Sequence, residues 1–136
     1  MTNLQKLDIS DNNLKGNLSD CFSNLASLES LDLSSNQFSG NISILQNLKS
    51  LGELSLSNNN FEIPSSLGPL LNLSKLKYIY ADNNTVYAEN EMHSLAPTFQ
   101  LNSISLSCCG DVEFFPQFLY HQHDLTDVDL SNIYFK

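Results

Sequence analysis

Two aspartates at matching places in the chain come closest to a catalytic arrangement. Asp8 and Asp32 each lie in a Leu-Asp-Leu-Ser or Leu-Asp-Ile-Ser stretch, 24 residues apart. On adjacent strands their carboxylates would be about 5 Å apart, the separation that a retaining glycosidase uses. A flat sheet offers neither a deep pocket nor the desolvation that separates two pKa values. We therefore predict no enzymatic activity and keep a glycosidase using Asp8 and Asp32 as a remote alternative.

Histidine and cysteine spacing does not build a metal site. His121 and His123 flank a single residue and have no third ligand at a zinc-like spacing. Cys21 is four repeats away from Cys108 and Cys109, beyond the Cα separation of about 7 Å that a disulfide allows. We predict no metal and no cofactor. Cys109 and Cys21 are expected to be small buried side chains, whereas Cys108 points outward.

Six copies of one leucine spacing supply the elements that would position these residues. Each copy has an apolar residue, another three positions on, another two further on, and in four copies an asparagine three positions later. The copies start near residues 4, 28, 51, 76, 101 and 125. This spacing is that of a leucine-rich repeat, so the chain is expected to bind rather than to catalyse.

One repeat pattern fills nearly the whole chain and leaves no room for a second domain. The alternation in Leu31, Asp32 and Leu33 has the period of two that directs the leucines into the core of a short strand. We predict a single α/β solenoid over residues 1–136, a horseshoe segment of about six repeats. Its concave side is a parallel sheet and its convex side is irregular or 3-10 helical. Open terminal repeats expose core leucines and solenoids generally carry caps, so we expect this chain to be an uncapped fragment or a truncated product.

The asparagine of each repeat lies where the chain turns away from the strand, and its amide can bond backbone groups there. We predict a buried ladder formed by Asn12, Asn36, Asn59 and Asn84. Cys109 takes the fifth position as a weaker hydrogen-bonding group, and Ile133 takes the sixth. Because isoleucine cannot hydrogen-bond, the last turn is expected to be irregular or frayed.

Outward positions of the concave sheet can vary without disturbing the core, so recognition is expected there. We predict ligand contacts at six of them: Lys6, Glu53, Tyr78, Tyr80, Asp82 and Asp127. The two tyrosines stand out because tyrosine is enriched among the residues that contribute most to binding. The alternative is that they only cover a thin part of the repeat.

The charge balance excludes several classes of partner. The chain has 15 acidic residues against six lysines and a formal net charge of −9. Phosphate backbones and anionic lipid headgroups repel such a surface, so we predict no nucleic-acid partner and no membrane contact by this segment. No stretch approaches about 20 continuous apolar residues and the first residues lack the pattern of a signal peptide, so we expect neither a membrane helix nor an export signal in this segment. Four Asn-X-Ser/Thr sequons mark potential N-glycosylation sites, at Asn17, Asn41, Asn72 and Asn83.

The residue pattern of the repeats resembles that of a known family. LDLSSNQFSGNI at 31–42 and LSLSNNNFEIPSSLGPLLNL at 54–73 resemble the plant-specific leucine-rich repeat. PTFQLNSISLSCC and FFPQFLYHQHDLTDVDLSN resemble plant receptor-like proteins, which carry an extracellular repeat domain, one membrane helix and a short tail without a kinase.

The resemblance implies a function at the outer side of the plasma membrane. A peptide, protein or glycan ligand would be recognised there, and a co-receptor kinase would pass on the signal in defence or development. The alternative is a secreted protein similar to the polygalacturonase inhibitors, whose acidic concave face would suit a basic enzyme.

Overall fold

The computed structural model describes residues 3–88, 96–112 and 115–135, and it confirms the leucine-rich repeat solenoid. Each repeat begins with a three-residue strand, and these strands stack side by side into one parallel sheet. Its members, in spatial order, are β1 (Lys6–Asp8), β3 (Ser30–Asp32), β5 (Glu53–Ser55), β7 (Tyr78–Tyr80), β9 (Ser103–Ser105) and β11 (Asp127–Asp129). This sheet is the concave side.

The apolar alternation explains these strands. The central residue of each strand points inward, and Leu31, Leu54 and Ile79 are buried. The flanking residues of the same strands are half-buried or exposed. Leucines placed three residues before the next repeat, such as Leu48 and Leu73, complete the core. The core therefore lies between the concave sheet and the return of each repeat.

A second set of strands lies beyond the turn of each repeat, where only irregular or 3-10 structure was expected. Four of them form a parallel sheet: β2 (Lys15–Asn17), β4 (Gln37–Asn41), β6 (Asn60–Pro64) and β8 (Thr85–Tyr87). The last two, β10 (Gly110–Val112) and β12 (Ile133–Phe135), form a separate pair. Phe61, Ile63 and Val86 from these strands are buried, so the second set closes the core on its other flank.

Short 3-10 helices form much of the convex return, as predicted. They are η1 (Asp20–Asn24), η2 (Ser43–Asn47), η3 (Gly68–Leu70) and η4 (Gln117–His121). Ser19 accepts a hydrogen bond from the Cys21 amide at the start of η1, which satisfies a free backbone donor. Each of η2, η3 and η4 buries one apolar residue, namely Leu45, Leu70 and Phe118. These short helices fix the repeats to the core without adding a thick outer layer.

The turn after each concave strand contains a residue in the left-handed region. The φ values lie between 54° and 59° at Asp11, Ser35, Asn58, Asn83, Cys108 and Asn132. Among residues other than glycine, asparagine and aspartate tolerate this region best. In the first five repeats the amide of this residue donates to the next repeat, for example from Asn58 to the Asp82 carbonyl at 2.8 Å. The turn thereby directs the following residue into the core.

That following residue is the ladder asparagine. In the second to fourth repeats its Nδ2 donates at 2.9 to 3.1 Å to a carbonyl of its own repeat and to one of the preceding repeat. Its Oδ1 accepts from an amide of the preceding repeat's return, as Asn84 does from Phe61 at 2.9 Å. Asn36, Asn59 and Asn84 are buried. Each of these asparagines therefore ties two repeats together at the turn.

Asn12 does not share this environment, and its expected burial is wrong. Its Nδ2 donates only to Ile9 and Ser10 of its own repeat, at 3.0 and 3.1 Å, and its side chain is exposed. The physical reason is that β1 is the edge strand of the concave sheet, and no strand of residues 3–88 lies on the outer side of this amide.

Cys109 takes the fifth ladder position, and the second sheet is interrupted there. Its Sγ lies 3.3 Å from the Ala81 carbonyl, but a thiol is too short to accept from the preceding return. The Val86 amide instead donates to the Cys109 backbone carbonyl at 3.2 Å. β8 and β10 consequently belong to different sheets. Losing the asparagine coincides with this break.

The expected irregular last turn is not observed in residues 115–135. β11 pairs in register with β9, and β12 pairs with β10, although Ile133 contributes no side-chain hydrogen bond. Backbone pairing with the fifth repeat is sufficient to keep the strands. The side chains are nonetheless open to solvent on the far side, and Val128 is 48% exposed.

Gly40 and Gly16 provide a matched test of packing between the first two repeats. Both have positive φ, 82° and 87°, but a Cβ on Gly40 would lie 2.5 Å from Asn17 Oδ1, whereas one on Gly16 would meet nothing within 4 Å. Asn17 Oδ1 is at the end of an exposed, flexible side chain, so it can move away at little cost. We therefore expect Gly16→Ala and Gly40→Ala each to cost about 1 kcal/mol of stability, mainly from the backbone conformation. Urea unfolding checks this, and a clearly larger cost for Gly40→Ala would mean that Asn17 is held in place against the glycine.

Candidate binding face

The concave sheet aligns equivalent residues of the six repeats into columns. The first column comprises Lys6, Ser30, Glu53, Tyr78, Ser103 and Asp127. The second comprises Asp8, Asp32, Ser55, Tyr80, Ser105 and Asp129. The residue two positions after the second column forms a third: Ser10, Ser34, Ser57, Asp82, Ser107 and Ser131. We call these three columns the concave face.

Tyr78 and Tyr80 stand together on β7 and face out from the sheet. Tyr78 is 38% exposed and Tyr80 is half-buried, while Ile79 between them is buried. Among the described residues, neither tyrosine hydroxyl has a hydrogen-bond partner. On the β9 side their neighbours are the small residues Ser103 and Ser105. The two rings therefore project above their surroundings on the β9 side. We call the small side chains there, Ser103 and Ser105, the low strip of the face.

Aspartates of the second column are held by serines of the third. Asp8 accepts from the hydroxyl and the amide of Ser10 at 2.6 and 2.9 Å, and Asp32 accepts from Ser34 at the same distances. Hydrogen bonds from the Ser10 hydroxyl, and then from its amide, lower the pKa of Asp8. The Ser131 hydroxyl and amide lower the pKa of Asp129 in the same way. Asp8 and Asp129 therefore remain charged at neutral pH.

These contacts count against glycosidase chemistry at Asp8 and Asp32. β1 and β3 do place the two residues side by side. A glycosidase acid, however, needs a raised pKa so that it can carry a proton at its working pH, and the shift at Asp8 has the opposite sign. The pair is better explained as part of the turn structure of each repeat.

The fourth repeat departs from this arrangement. Tyr80 takes the second column, and the carboxylate moves to the third column as Asp82. Asp82 Oδ1 accepts from the Ser105 hydroxyl at 2.5 Å and from the Ser107 amide at 2.7 Å, both in the next repeat. Its amide donates to Ser57 Oγ at 3.1 Å. Asp82 therefore connects three repeats, and one of its oxygens is already engaged. Sequence reasoning missed this role because it depends on neighbours about 24 residues away.

The other sequence candidates are dispersed over the face. Lys6 and Glu53 are exposed and lie in the same column as Tyr78, nearer the β1 edge. Asp127 is exposed on β11, two strands from Tyr78, and its Oδ2 accepts from Thr126 Oγ1 at 3.0 Å. The face thus brings together Tyr78, Tyr80 and Asp82, but not all six residues.

Residues outside the concave face show no metal or disulfide arrangement. His121 and His123 are exposed at the end of η4 and just beyond it. Within the described ranges, no group of three or more His, Cys, Asp or Glu side chains is placed to hold a metal ion. All three cysteines are free thiols.

Cys109 is buried as expected, and this burial raises the pKa of its thiol. Cys108 is exposed, in agreement with its predicted outward direction. The expected burial of Cys21 is wrong, because Phe22, the next residue of η1, packs against the core and leaves Cys21 on the outer side.

The sequon asparagines are all exposed, but they face different surfaces. Asn17 and Asn41 border a polar hollow of about 320 Å³ near η1 and η2, away from the concave face. Asn83 lies in the turn after β7, and its Nδ2 donates to Asn58 Oδ1 at 2.6 Å. A glycan on Asn83 would stand next to the tyrosines, whereas glycans on Asn17 and Asn41 would not.

Comparisons with known proteins agree with this architecture. Leucine-rich repeat family models match residues 1–38 and 50–70. Receptor-like protein 13 of Arabidopsis thaliana is 48% identical over 132 residues, which are 96% of this chain and 12% of that protein. Cuscuta receptor 1 of Solanum lycopersicum is 35% identical over 125 residues, 90% of this chain and 11% of that protein. The chain thus spans about an eighth or less of these two relatives.

Solved structures share the fold. The ectodomain of the receptor kinase SOBIR1 from Arabidopsis thaliana matches with a TM-score of 0.66 and 23% identity, over 95% of this chain and 70% of that one. The Arabidopsis receptor kinase HAESA, solved with the peptide hormone IDA and the co-receptor SERK1, matches with a TM-score of 0.58 and 18% identity, over 96% of this chain and 26% of that one. In the part of the chain that the structure describes, no helix has the length and apolarity needed to cross a membrane.

Repeat spacing, two layers of parallel strands and the comparisons lead to one conclusion: the chain has the leucine-rich repeat fold and is similar to plant receptor-like proteins.

Proposed function

We propose that this chain is a ligand-recognition segment of a plant cell-surface receptor-like protein, on the extracellular side of the plasma membrane. Its concave face would contact a peptide or protein ligand, with a glycan as a further class. The observation that carries the proposal is the pair Tyr78 and Tyr80, whose rings stand out on a rigid sheet of small and acidic residues.

The physical basis is preorganisation. The central residues of the flanking strands are buried, and the second and third columns are held by Asp–Ser hydrogen bonds. The face therefore loses little conformational entropy when a ligand binds. Less of the binding free energy is then offset by ordering the protein. Tyrosine adds large and stiff contact area. We assign direct contact to Tyr78, Tyr80, Glu53, Lys6 and Asp127.

Asp82 has a different part in the proposal. One of its oxygens already accepts from Ser105 and Ser107. It would fix the serine strip beside the tyrosines and offer only its second oxygen to a ligand.

A partner kinase is the finer part of the proposal. The relatives are named receptors and receptor-like proteins. The resemblance to receptor-like proteins implies a short tail without a kinase, so a signal in defence or development would need a second protein. HAESA, which shares the fold, was solved with both a peptide hormone and a co-receptor. By analogy we propose that a co-receptor kinase joins the ligand-bound protein.

Peptide selection on the intact chain tests the binding face. Short linear peptides are selected from a random library against the protein, and their dissociation constants are measured by calorimetry. We expect Tyr78→Ala/Tyr80→Ala to weaken the selected peptides about 30-fold, as loss of central aromatic contacts does. Circular dichroism checks that the variant is folded.

Two exposed tyrosines off the concave face provide the matched control. Tyr120 and Tyr134 are 71% and 73% exposed. Tyr120→Ala/Tyr134→Ala removes the same chemical groups and should leave affinity within about twofold of the original. The proposal is overturned if peptides bind the Tyr78→Ala/Tyr80→Ala variant as well as the original chain. It also requires Asn83 to carry no glycan in protein secreted from plant cells, since a glycan there would cover the tyrosines.

A further inference from the structure

The low strip of the concave face has a distinct wall on each side. Ser103 and Ser105 of β9 form its floor. Tyr78 and Tyr80 stand on β7 at one side, and Asp127 and Asp129 stand on β11 at the other. Adjacent strands are about 4.8 Å apart, so the walls are about 10 Å apart. We call this strip, with its two walls, the serine trough.

We propose that the serine trough binds a lysine or arginine side chain of a peptide ligand. This inference rests on the proposed function, because it names the chemistry of a ligand for the same face. The trough is open along its length, so an extended peptide can lie across the strands and place one basic side chain in it.

The hydrogen-bond direction at the floor favours a ligand that donates. The Ser105 hydroxyl gives its proton to Asp82 Oδ1 at 2.5 Å. Its oxygen therefore presents lone pairs to the trough, which suit an N–H of an ammonium or guanidinium group. A carboxylate or phosphate ligand would meet an acceptor here instead of a donor. Asp82, in the adjacent repeat, thus makes the Ser105 hydroxyl oxygen a hydrogen-bond acceptor for the ligand.

The walls favour a cation on independent grounds. Aromatic faces attract ammonium and guanidinium groups through the ring quadrupole, and Tyr78 and Tyr80 have no partner in the described residues that competes for this interaction. Asp127 and Asp129 are both exposed on the opposite wall. Hydrogen bonds from Ser131 hold Asp129 in its charged form. Lys77, which directly precedes β7, has its Nζ bonded to the Gln100 carbonyl at 3.0 Å, toward the start of β9.

Charge alone does not explain the choice of this strip. Asp8 and Asp32 form another acidic pair on the same face, but no aromatic residue lies in their columns on β1 or β3, and Lys6 stands beside them. Only the end of the face formed by repeats four to six combines tyrosines, serine acceptors and carboxylates. The Asp8 and Asp32 pair therefore serves as an internal control for diffuse electrostatic attraction.

Nuclear magnetic resonance titration of the intact chain tests the proposal. The probe is N-acetyl-arginine methylamide, with the norleucine and glutamate analogues as controls. We expect saturable shifts of the Ser103 and Ser105 amides in the millimolar range with arginine and none with the controls. Asp127→Asn/Asp129→Asn should weaken the arginine probe about fivefold, and Tyr78→Ala/Tyr80→Ala by a similar factor.

Asp8→Asn/Asp32→Asn removes the same charge elsewhere on the face and should leave the shifts unchanged. The proposal fails if this variant weakens the probe as much as Asp127→Asn/Asp129→Asn does, or if norleucine gives the same shifts. Selected peptides separate this failure from that of the proposed function. If their affinity depends on Tyr78 and Tyr80 but is unchanged when each lysine or arginine is replaced by norleucine, the binding face stands and the basic ligand does not.

Discussion

Asn59→Ala is expected to lower the free energy of unfolding by about 2 kcal/mol, because the buried Phe38 amide loses its acceptor. The Leu33 and Leu56 carbonyls each lose one of two amide donors, since Asn36 and Asn84 still donate to them. The Asn59 Nδ2 donates to Leu33 and Leu56 carbonyls at 2.9 and 3.0 Å, and its Oδ1 accepts from the Phe38 amide at 3.1 Å. Water cannot replace these bonds where the asparagine is buried. Urea unfolding followed by circular dichroism measures the loss.

Asn12→Ala is the matched control for the ladder. Asn12 donates to two carbonyls of its own repeat, but it is exposed and makes no bond to another repeat among the described residues. Water can satisfy the freed carbonyls, so we expect a cost below about 1 kcal/mol. If the two alanines prove equally costly, the cross-repeat bonds contribute nothing and our account of the ladder is wrong.

Phe61→Ala is expected to cost about 4 kcal/mol, through lost burial and the cavity that remains. Phe61, in β6, is fully buried, and its ring stacks on that of Phe38 with centroids 6.0 Å apart. The backbone amide of residue 61 can still donate to Asn84 Oδ1, so the loss reports packing rather than hydrogen bonding. Thermal and urea unfolding should both register it.

Phe115 provides the comparison for this prediction. Its ring contacts that of Phe135, with centroids 5.7 Å apart, but it is 43% exposed. We expect Phe115→Ala to cost below about 1 kcal/mol, since little apolar surface is taken from water. A cost for Phe61→Ala as small as that for Phe115→Ala would mean that the second layer of strands does not hold the core together.

The concave side was predictable because a strict period fixes it. Once the leucines repeat every 23 to 25 residues, strand pairing and the columns follow, and Tyr78 must stand between Glu53 and Ser103. An irregular or 3-10 helical return was also expected. These features depend on residues within one repeat and on its period.

The second sheet was not predictable in the same way. β2 has the sequence Lys-Gly-Asn, without an apolar residue or an alternating pattern. It becomes a strand because β4 lies beside it and supplies backbone partners. The contacts of Asp82 likewise depend on Ser105 and Ser107, which only the stacking of repeats brings near. Such contacts depend on how the repeats stack, so the sequence of a single repeat does not predict them.

The break at Cys109 has a consequence for cooperativity. Repeats one to four share both sheets, whereas repeats four and five are joined by the concave sheet without a continuous second one. In a linear array, stability is a sum of neighbour couplings, so this junction is expected to be a weak coupling at which the last two repeats open first. The serine trough spans it, from β7 to β11. A ligand bound there would contact repeats on both sides of this junction and would stabilise their folded arrangement. Ligand binding and slower opening of the last two repeats are therefore expected to occur together.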